Sequence, residues 1–314
     1  GIGWKMPVTM GAFAIGIGLP KNWTFTHGLM LGAMVGGSSS LVIMPSMAVA
    51  KVKEKVANLV GLESALTDAL CVVVTGVMIE IILAGQTAKG GGFDAAMSAG
   101  AFAKNLGVGL AVGGAAGWSW FPLLRFLKGS QHAYPVTLAA LLGLYVVVSY
   151  LGGNAAIGIL AFSIMVGNAD SLMQKAGFTM GPNPLKIDES VQVTNQQVSF
   201  IIKTFFFTFI GINLGPPWSL LFFGIVVGVS LFAVRLPAVK LALRGTDFNA
   251  HEISLINVSL PRGMAAGVLA TIPAMRGVEG TEDLPALVSA SVVASIAIFA
   301  GGFKRCQANA PKDP

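Results

Sequence analysis

Two carboxylates, Glu63 and Asp68, stand among hydroxyls in the otherwise apolar stretch "GLESALTDALCVVVTGV" (Gly61–Val77). On a helix, Ser64 and Asp68 lie four residues apart and share a face; Glu63 and Thr67 form a second such pair. One carboxylate with hydroxyls and loosened backbone carbonyls is hard-oxygen chemistry, suited to an alkali cation, and no His/Cys cluster offers a transition metal a site. Ionisable residues in apolar spans are costly and rare, so they are functional candidates by default. Lys203, Arg235 and Arg262 fall in apolar stretches too, and Lys104 is placed where its stem can snorkel to an interface. Glu80 stands twelve residues beyond Asp68, some 18 Å along a helix, and reads as an outer-vestibule or interfacial acid. The histidines His27, His132 and His251 lie near span ends, where exposed or interfacial packing is expected.

The elements that must position these groups are membrane helices. The chain has 314 residues, 54% hydrophobic and 11% charged, against about 25% charged in soluble domains. It therefore reads as an all-α, polytopic, multi-pass integral membrane protein. Forty glycines suit tightly packed transmembrane helices, and "GVGLAVGGAAG" (Gly107–Gly117) reads as close helix packing, not as a dinucleotide loop. Two cysteines, Cys71 and Cys306, exclude a disulfide framework and a CxxC metal site. No cofactor is expected.

Apolar runs bounded by Gly, Pro and charge give ten spans, near 5–20, 26–48, 58–84, 97–122, 133–150, 153–169, 195–213, 217–242, 250–273 and 284–303. The polar stretch 168–194 is expected to be a long loop between bundles. Threaded this way, one side of the membrane receives Lys5, Lys51, Lys53, Lys55, Arg125, Lys128, Lys175, Lys186, Lys240, Arg244, Lys304, Arg305 and Lys312. The other receives Lys21, Lys89 and Arg276. The richer side is cytoplasmic by the positive-inside rule. The net charge of +6 is thus topological, and no nucleic-acid partner is expected; the medium is membrane lipid.

"GGSSSLVIMP" (Gly36–Pro45) interrupts the second span, and "SLPRGMAAG" (Ser259–Gly267) the ninth. Both are poor material for continuous helix. Spans one to three and eight to ten form triplets of opposite topology, each broken in its middle member. That pattern points to an inverted-repeat transporter with a midplane site between discontinuous helices. Residues 1–94 would be the first triplet and 216–314 the second, with linker and scaffold helices in 95–215.

Four segments, in order, resemble the monovalent cation/proton antiporters, in the sodium/proton exchanger branch. "ESALTDA" is similar to their E-S-x-x-N-D motif, and "LGAMVGGSSSLVIMP" to the broken helix before it. "FFFTFIGINLG" (Phe205–Gly215) resembles an F-F-x-x-x-G-x-x-L segment shared with Kef-type relatives. "LPRGMAAGVLA" (Leu260–Ala270) resembles the R-G-x-x-x-x-x-L-A segment of the second broken helix. There are two departures: Ser38-Ser39-Ser40 stands where exchangers often have T-D-P, and Thr67 replaces the usual Asn.

The resemblance implies an inverted-repeat antiporter fold with two crossed discontinuous helices, in a homodimer with a core domain moving against a dimerisation domain. The ten spans would be the third to twelfth of a twelve-span pattern, with two spans preceding Gly1. Asp68 would carry the transported Na⁺, Li⁺ or H⁺, helped by Glu63, Ser64, Thr67, Ser38 and Ser39. Arg262 would neutralise helix ends and acids at the crossing, and Arg235 would pair with Glu63 or Asp68. Arginine does not usefully deprotonate, so neither arginine carries the proton. Lys203 is either a structural, interface-snorkelling lysine or a proton-releasing coupling residue. A bare carboxylate costs at least a few kcal/mol to carry through a closed membrane protein; loaded with cation or proton, it is largely neutralised. That rule gives exchange without leak. K⁺/H⁺ exchange or Kef-like K⁺ efflux is the alternative. A further one is an organic-anion carrier on a similar scaffold, holding its substrate at the break N-termini and Arg262. An enzyme is set aside because no zinc motif or Ser–His constellation lies in the spans.

Overall fold

The computed structural model describes residues 23–87, 95–127, 133–175 and 189–309. The regular elements there are all α-helices: α1 (Phe25–Met34), α2 (Ser40–Val49), α3 (Glu54–Thr87), α4 (Ala95–Leu127), α5 (Ala133–Tyr150), α6 (Ala155–Gly167), α7 (Ala169–Lys175), α8 (Glu189–Asn213), α9 (Trp218–Ala242), α10 (Ala250–Val258), α11 (Met264–Met275) and α12 (Leu284–Ala308). The expected span 5–20 lies outside the described residues. Among the described residues, five helices are long and apolar enough to cross a membrane: Glu54–Leu83, Ala103–Leu123, Ala133–Tyr150, Trp218–Ala242 and Leu284–Ala308. The chain divides into two compact units, 1–93 with 206–314, and 94–205.

In the first unit both Gly/Ser/Pro-rich stretches interrupt their spans. α1 stops at Met34 and α2 starts at Ser40; α10 stops at Val258 and α11 starts at Met264. Neither second half has a side-chain cap at its start, because Ser39 and Gly263 are extended N-caps without one. The freed N–H groups must therefore find partners elsewhere.

Two apolar clusters hold this unit together. One joins Met30, Leu31 and Met34 of α1 to Ile79 of α3, Leu269 of α11 and Leu287 of α12. The other joins Ile43 and Met47 of α2 to Val56 and Val60 of α3, Leu255 of α10 and Phe299 of α12. Along α3 the second cluster ends at Val60 and the first begins at Cys71. Residues 63–68 occupy the polar interval between them. α9 comes close to α12 because Gly224 and Gly228 lack side chains: a Cβ on Gly224 would strike Leu287 O and Ala290 Cβ.

In the second unit α4 packs on α6 through Gly109, Gly113 and Gly117, one per turn. A Cβ on Gly113 would strike Gly158 O, and one on Gly117 would lie 2.6 Å from Met165 Cβ. The 107–117 run is thus a packing surface, as its small residues lead one to expect. The stretch 168–194, expected as a long loop, carries helix at both of its described ends. Asn168 ends α6 by donating from Nδ2 to Ile164 O at 2.8 Å, and α7 follows at once. Leu172 and Met173 of α7 join Phe121 in a small apolar cluster, so those two apolar side chains turn a polar-looking stretch into helix. α8 likewise begins at Glu189, within the stretch read as loop.

Candidate functional site

The two breaks meet and satisfy one another. The Ser39 amide donates to Pro261 O at 2.8 Å. The approach requires glycine at 263, because a Cβ there would strike the Ser39 hydroxyl. The Arg262 amide donates to Ser295 Oγ of α12 at 2.9 Å.

α3 completes the first break from the side. The Ser64 hydroxyl donates to Ser38 O at 2.6 Å and accepts from the Ser40 amide at 2.7 Å. The Ser38 amide points to Thr67 Oγ1 at 3.4 Å, and that hydroxyl donates to Glu63 O at 2.8 Å. Ser64 and Thr67, three residues apart on α3, thus both reach the backbone of the first break. The Ser38 hydroxyl is buried without a hydrogen-bond partner among the described residues.

Asp68 lies one helical turn beyond Ser64, half-buried. A Cβ added to Gly37 would be 2.9 Å from Asp68 Oδ1 and 3.1 Å from Cys71 Sγ, so the carboxylate lies against bare backbone at the break. No described residue hydrogen-bonds to it.

The remaining charges have taken sides. Arg235, 2% exposed, donates from Nη1 to Glu63 Oε1 at 2.6 Å and from Nη2 to Glu63 Oε2 at 2.8 Å. Its Nε and Nη2 also reach Ile256 O, at 3.2 and 3.0 Å, near the end of α10. Of the two partners open to Arg235, Glu63 is the one observed. Arg262, fully buried, donates from Nη1 to Gly36 O at 2.8 Å, at the negative end of α1. Lys203 belongs to the other unit, half-buried on α8.

The remaining titratable residues fall outside this cluster. Of the histidines expected to be exposed or packed at an interface, His27 is buried: Thr24 closes a capping box with it, and the Thr24 amide donates to His27 Nδ1 at 3.2 Å. His251 is half-buried, and His132 lies outside the described residues. Glu80 pairs with Arg276 at 2.6 Å, both side chains more than half exposed. Lys53 and Lys55, read as an orientation signal, also reach across to Glu252 of α10 at 3.2 and 2.8 Å. Glu252 is buried, and the sequence reading does not single it out. Its signal was the capping-box spacing from Asn249, and the structure forms that box: the Glu252 amide donates to Asn249 Oδ1 at 2.8 Å.

The resulting layer holds one arginine–glutamate pair, one arginine on a helix end, and a carboxylate beside buried hydroxyls and unwound backbone. It can neutralise a single small cation or a proton. The chain as a whole is similar to known proteins. The family described as sodium/hydrogen exchanger, transmembrane, matches residues 2–303. Similar curated proteins include the K⁺/H⁺ antiporter NhaP2 of Shewanella sp. (strain MR-4), 24% identical over 282 residues that span 84% of this chain and 45% of the relative. Another is the low-affinity Na⁺/H⁺ antiporter NhaS1 of Synechocystis sp., 24% identical over 213 residues, 66% of this chain and 38% of the relative. The chain thus spans less than half the length of these relatives. Among solved structures, the sodium proton antiporter MjNhaP1 from Methanocaldococcus jannaschii shares the fold, with a TM-score of 0.74 at 16% identity over 99% of this chain and 77% of that one.

Proposed function

The chain belongs to the sodium/hydrogen exchanger, transmembrane, family, and from that premise we propose that it is a secondary antiporter. It exchanges a monovalent cation for H⁺ by alternating access, with cation and proton competing for Asp68. The observation that supports this most is the state of the charges at the breaks. Glu63 is committed to Arg235, whereas Asp68 sits against Gly37 with no hydrogen-bond partner among the described residues. An acid kept in a membrane layer and left unpaired is there to be occupied.

The carboxylate, hydroxyl and carbonyl oxygens form a hard site that suits an alkali cation, and Na⁺ or Li⁺ is the first choice from the likeness to the sodium/hydrogen exchanger family. K⁺ is the second reading: a relative named as a K⁺/H⁺ antiporter matches 84% of the chain, and Ser38-Ser39-Ser40 gives the break a Kef-like character. The inverted repeat, the homodimer and the cytoplasmic placing of the Lys/Arg-rich loops belong to the same proposal, as do supporting roles for Ser38, Ser39, Ser64 and Thr67. Arg235 orients Glu63, and a single free carboxylate favours electroneutral, one-for-one exchange.

The test uses the protein in proteoliposomes under an imposed pH gradient, with Na⁺, Li⁺ or K⁺ added in turn. Wild type should dissipate the gradient with at least one of them, and Asp68→Asn should not. Exchange by Asp68→Asn at the wild-type rate would remove Asp68 from the mechanism. A final gradient that changes with membrane potential would rule out one-for-one exchange.

A further inference from the structure

Arg262 carries an unmet demand. It is fully buried, and Nη1 alone of its guanidinium nitrogens is used; Nε and Nη2 have no hydrogen-bond partner among the described residues. A buried charged donor left unmade is among the most expensive groups a fold can keep. The titratable groups around Arg262 are Arg235, Cys71, Glu63 and Asp68. Arg235 repels it. Cys71 offers only a weak thiol acceptor. Both Glu63 oxygens are held by Arg235 at 2.6 and 2.8 Å. Asp68 is left, and its carboxylate is the acid at the breaks that no described residue has claimed.

The two unmet groups flank one dipeptide. Arg262 Nη1 rests on Gly36 O, and Asp68 Oδ1 lies against the α-carbon of Gly37. We propose that Arg262 is a third competitor for Asp68: when neither proton nor alkali cation is bound, its free Nε–H and Nη2–H groups take the carboxylate, and a cation binds only by displacing them. The inference rests on the exchanger reading above. It gives Arg262 a positioning role distinct from that of Arg235, whose donors are already spent. Gly36 O, at the negative end of α1, holds the displaced positive charge while the cation is bound. Arginine stays protonated, so this competitor is present at every working pH.

The test compares wild type, Arg262→Lys and Arg262→Gln in proteoliposomes. It reads the half-saturating Na⁺ or K⁺ concentration separately from the maximal rate, and the cation-dependent shift in thermal unfolding of the purified protein. Loss of a charge-assisted competitor should lower the half-saturating concentration in Arg262→Gln on the order of tenfold, with a lower maximal rate as release slows. Arg262→Lys should fall between the two. Unchanged or higher half-saturating concentrations in both variants would overturn the proposal and leave Arg262 as a strut under Gly36. If Arg262→Gln does not fold, Arg262→Lys decides by the same comparison. A wild-type protein that neither exchanges nor is stabilised by any alkali cation would overturn the exchanger reading and this proposal together; exchange with unmoved half-saturation overturns this one alone.

Discussion

Removing the Glu63 charge should expose what Arg235 costs. The guanidinium is 2% exposed, and its donors are shared between Glu63 and Ile256 O. In Glu63→Gln the carboxamide can accept with its oxygen only, and its NH₂ faces the guanidinium, so the buried charge is left half-served. Breaking a buried pair from one side typically costs about 3–5 kcal/mol. The Glu63 side chain is 21% exposed, and water there offsets part of the loss, which argues for the lower end, about 3 kcal/mol. Glu63→Gln/Arg235→Met removes both charges and should recover most of the loss, since replacing a buried pair by packed neutral groups is often neutral or stabilising. Glu80→Gln supplies the contrast. Its contact with Arg276 is also 2.6 Å, but the partners are 53% and 56% exposed, so the loss should stay below about 1 kcal/mol. The assay is unfolding of purified protein in detergent for the three variants and for Arg235→Met, closing a double-mutant cycle. The reasoning fails if Glu63→Gln costs no more than Glu80→Gln, or if the cycle is additive within about 0.5 kcal/mol.

Gly37→Ala would place a methyl group 2.9 Å from Asp68 Oδ1 and 3.1 Å from Cys71 Sγ. Overpacking of about 1–3 kcal/mol, delivered to the carboxylate, should raise the half-saturating cation concentration about tenfold or more. Gly76→Ala on α3, with nothing within 4 Å of the added atom, should leave transport unchanged and serves as its control. Gly263→Ala would strike the Ser39 hydroxyl and force the breaks apart, so it should reduce exchange severely. Ser39→Gly, which deletes the obstructing atoms, should restore part of it in the double variant, and no recovery would mean that Gly263 is needed for another reason.

The breaks were legible because Gly36-Gly37-Ser38-Ser39-Ser40 and Ser259-Leu260-Pro261-Arg262-Gly263 contradict a hydropathy that otherwise reads as continuous span. Asp68 stands out in the sequence because hydrocarbon does not tolerate an idle acid. The partnerships were harder to read. Arg235 and Glu63 are 172 residues apart, and Arg262 reaches Gly36 across 226. Local spacing leaves Glu63 and Asp68 as equal claimants on Arg235. The buried Glu252 escaped notice for a related reason: a capping box announces a helix start, while the two lysines that clamp it stand about 200 residues earlier at the start of α3, Lys53 just before it and Lys55 in its first turn. α7 was missed because little besides its Ala169, Leu172 and Met173, clustered with Phe121, distinguishes it from loop.

The partnerships also change what the hydroxyls are for. A five-residue break frees backbone donors that hydrocarbon cannot satisfy, and the nearest oxygens are drawn into that service. Ser64 is used twice, on Ser38 O and the Ser40 amide, and Thr67 bridges Glu63 O towards the Ser38 amide. Ser39 contributes its amide to Pro261 O and its side chain to the contact with Gly263. Glu63 is held by Arg235. The oxygens with capacity to spare then include the Asp68 carboxylate and the buried Ser38 hydroxyl, which has no hydrogen-bond partner among the described residues. Hydroxyls that hold an unwound backbone in place are pre-paid rigidity for the site, and a cation entering such a layer meets fixed geometry with one movable competitor, the Arg262 guanidinium. Ion selectivity in this chain should therefore respond more sharply to Ser38 and Arg262 than to Ser64, whose loss acts first on the fold of the break.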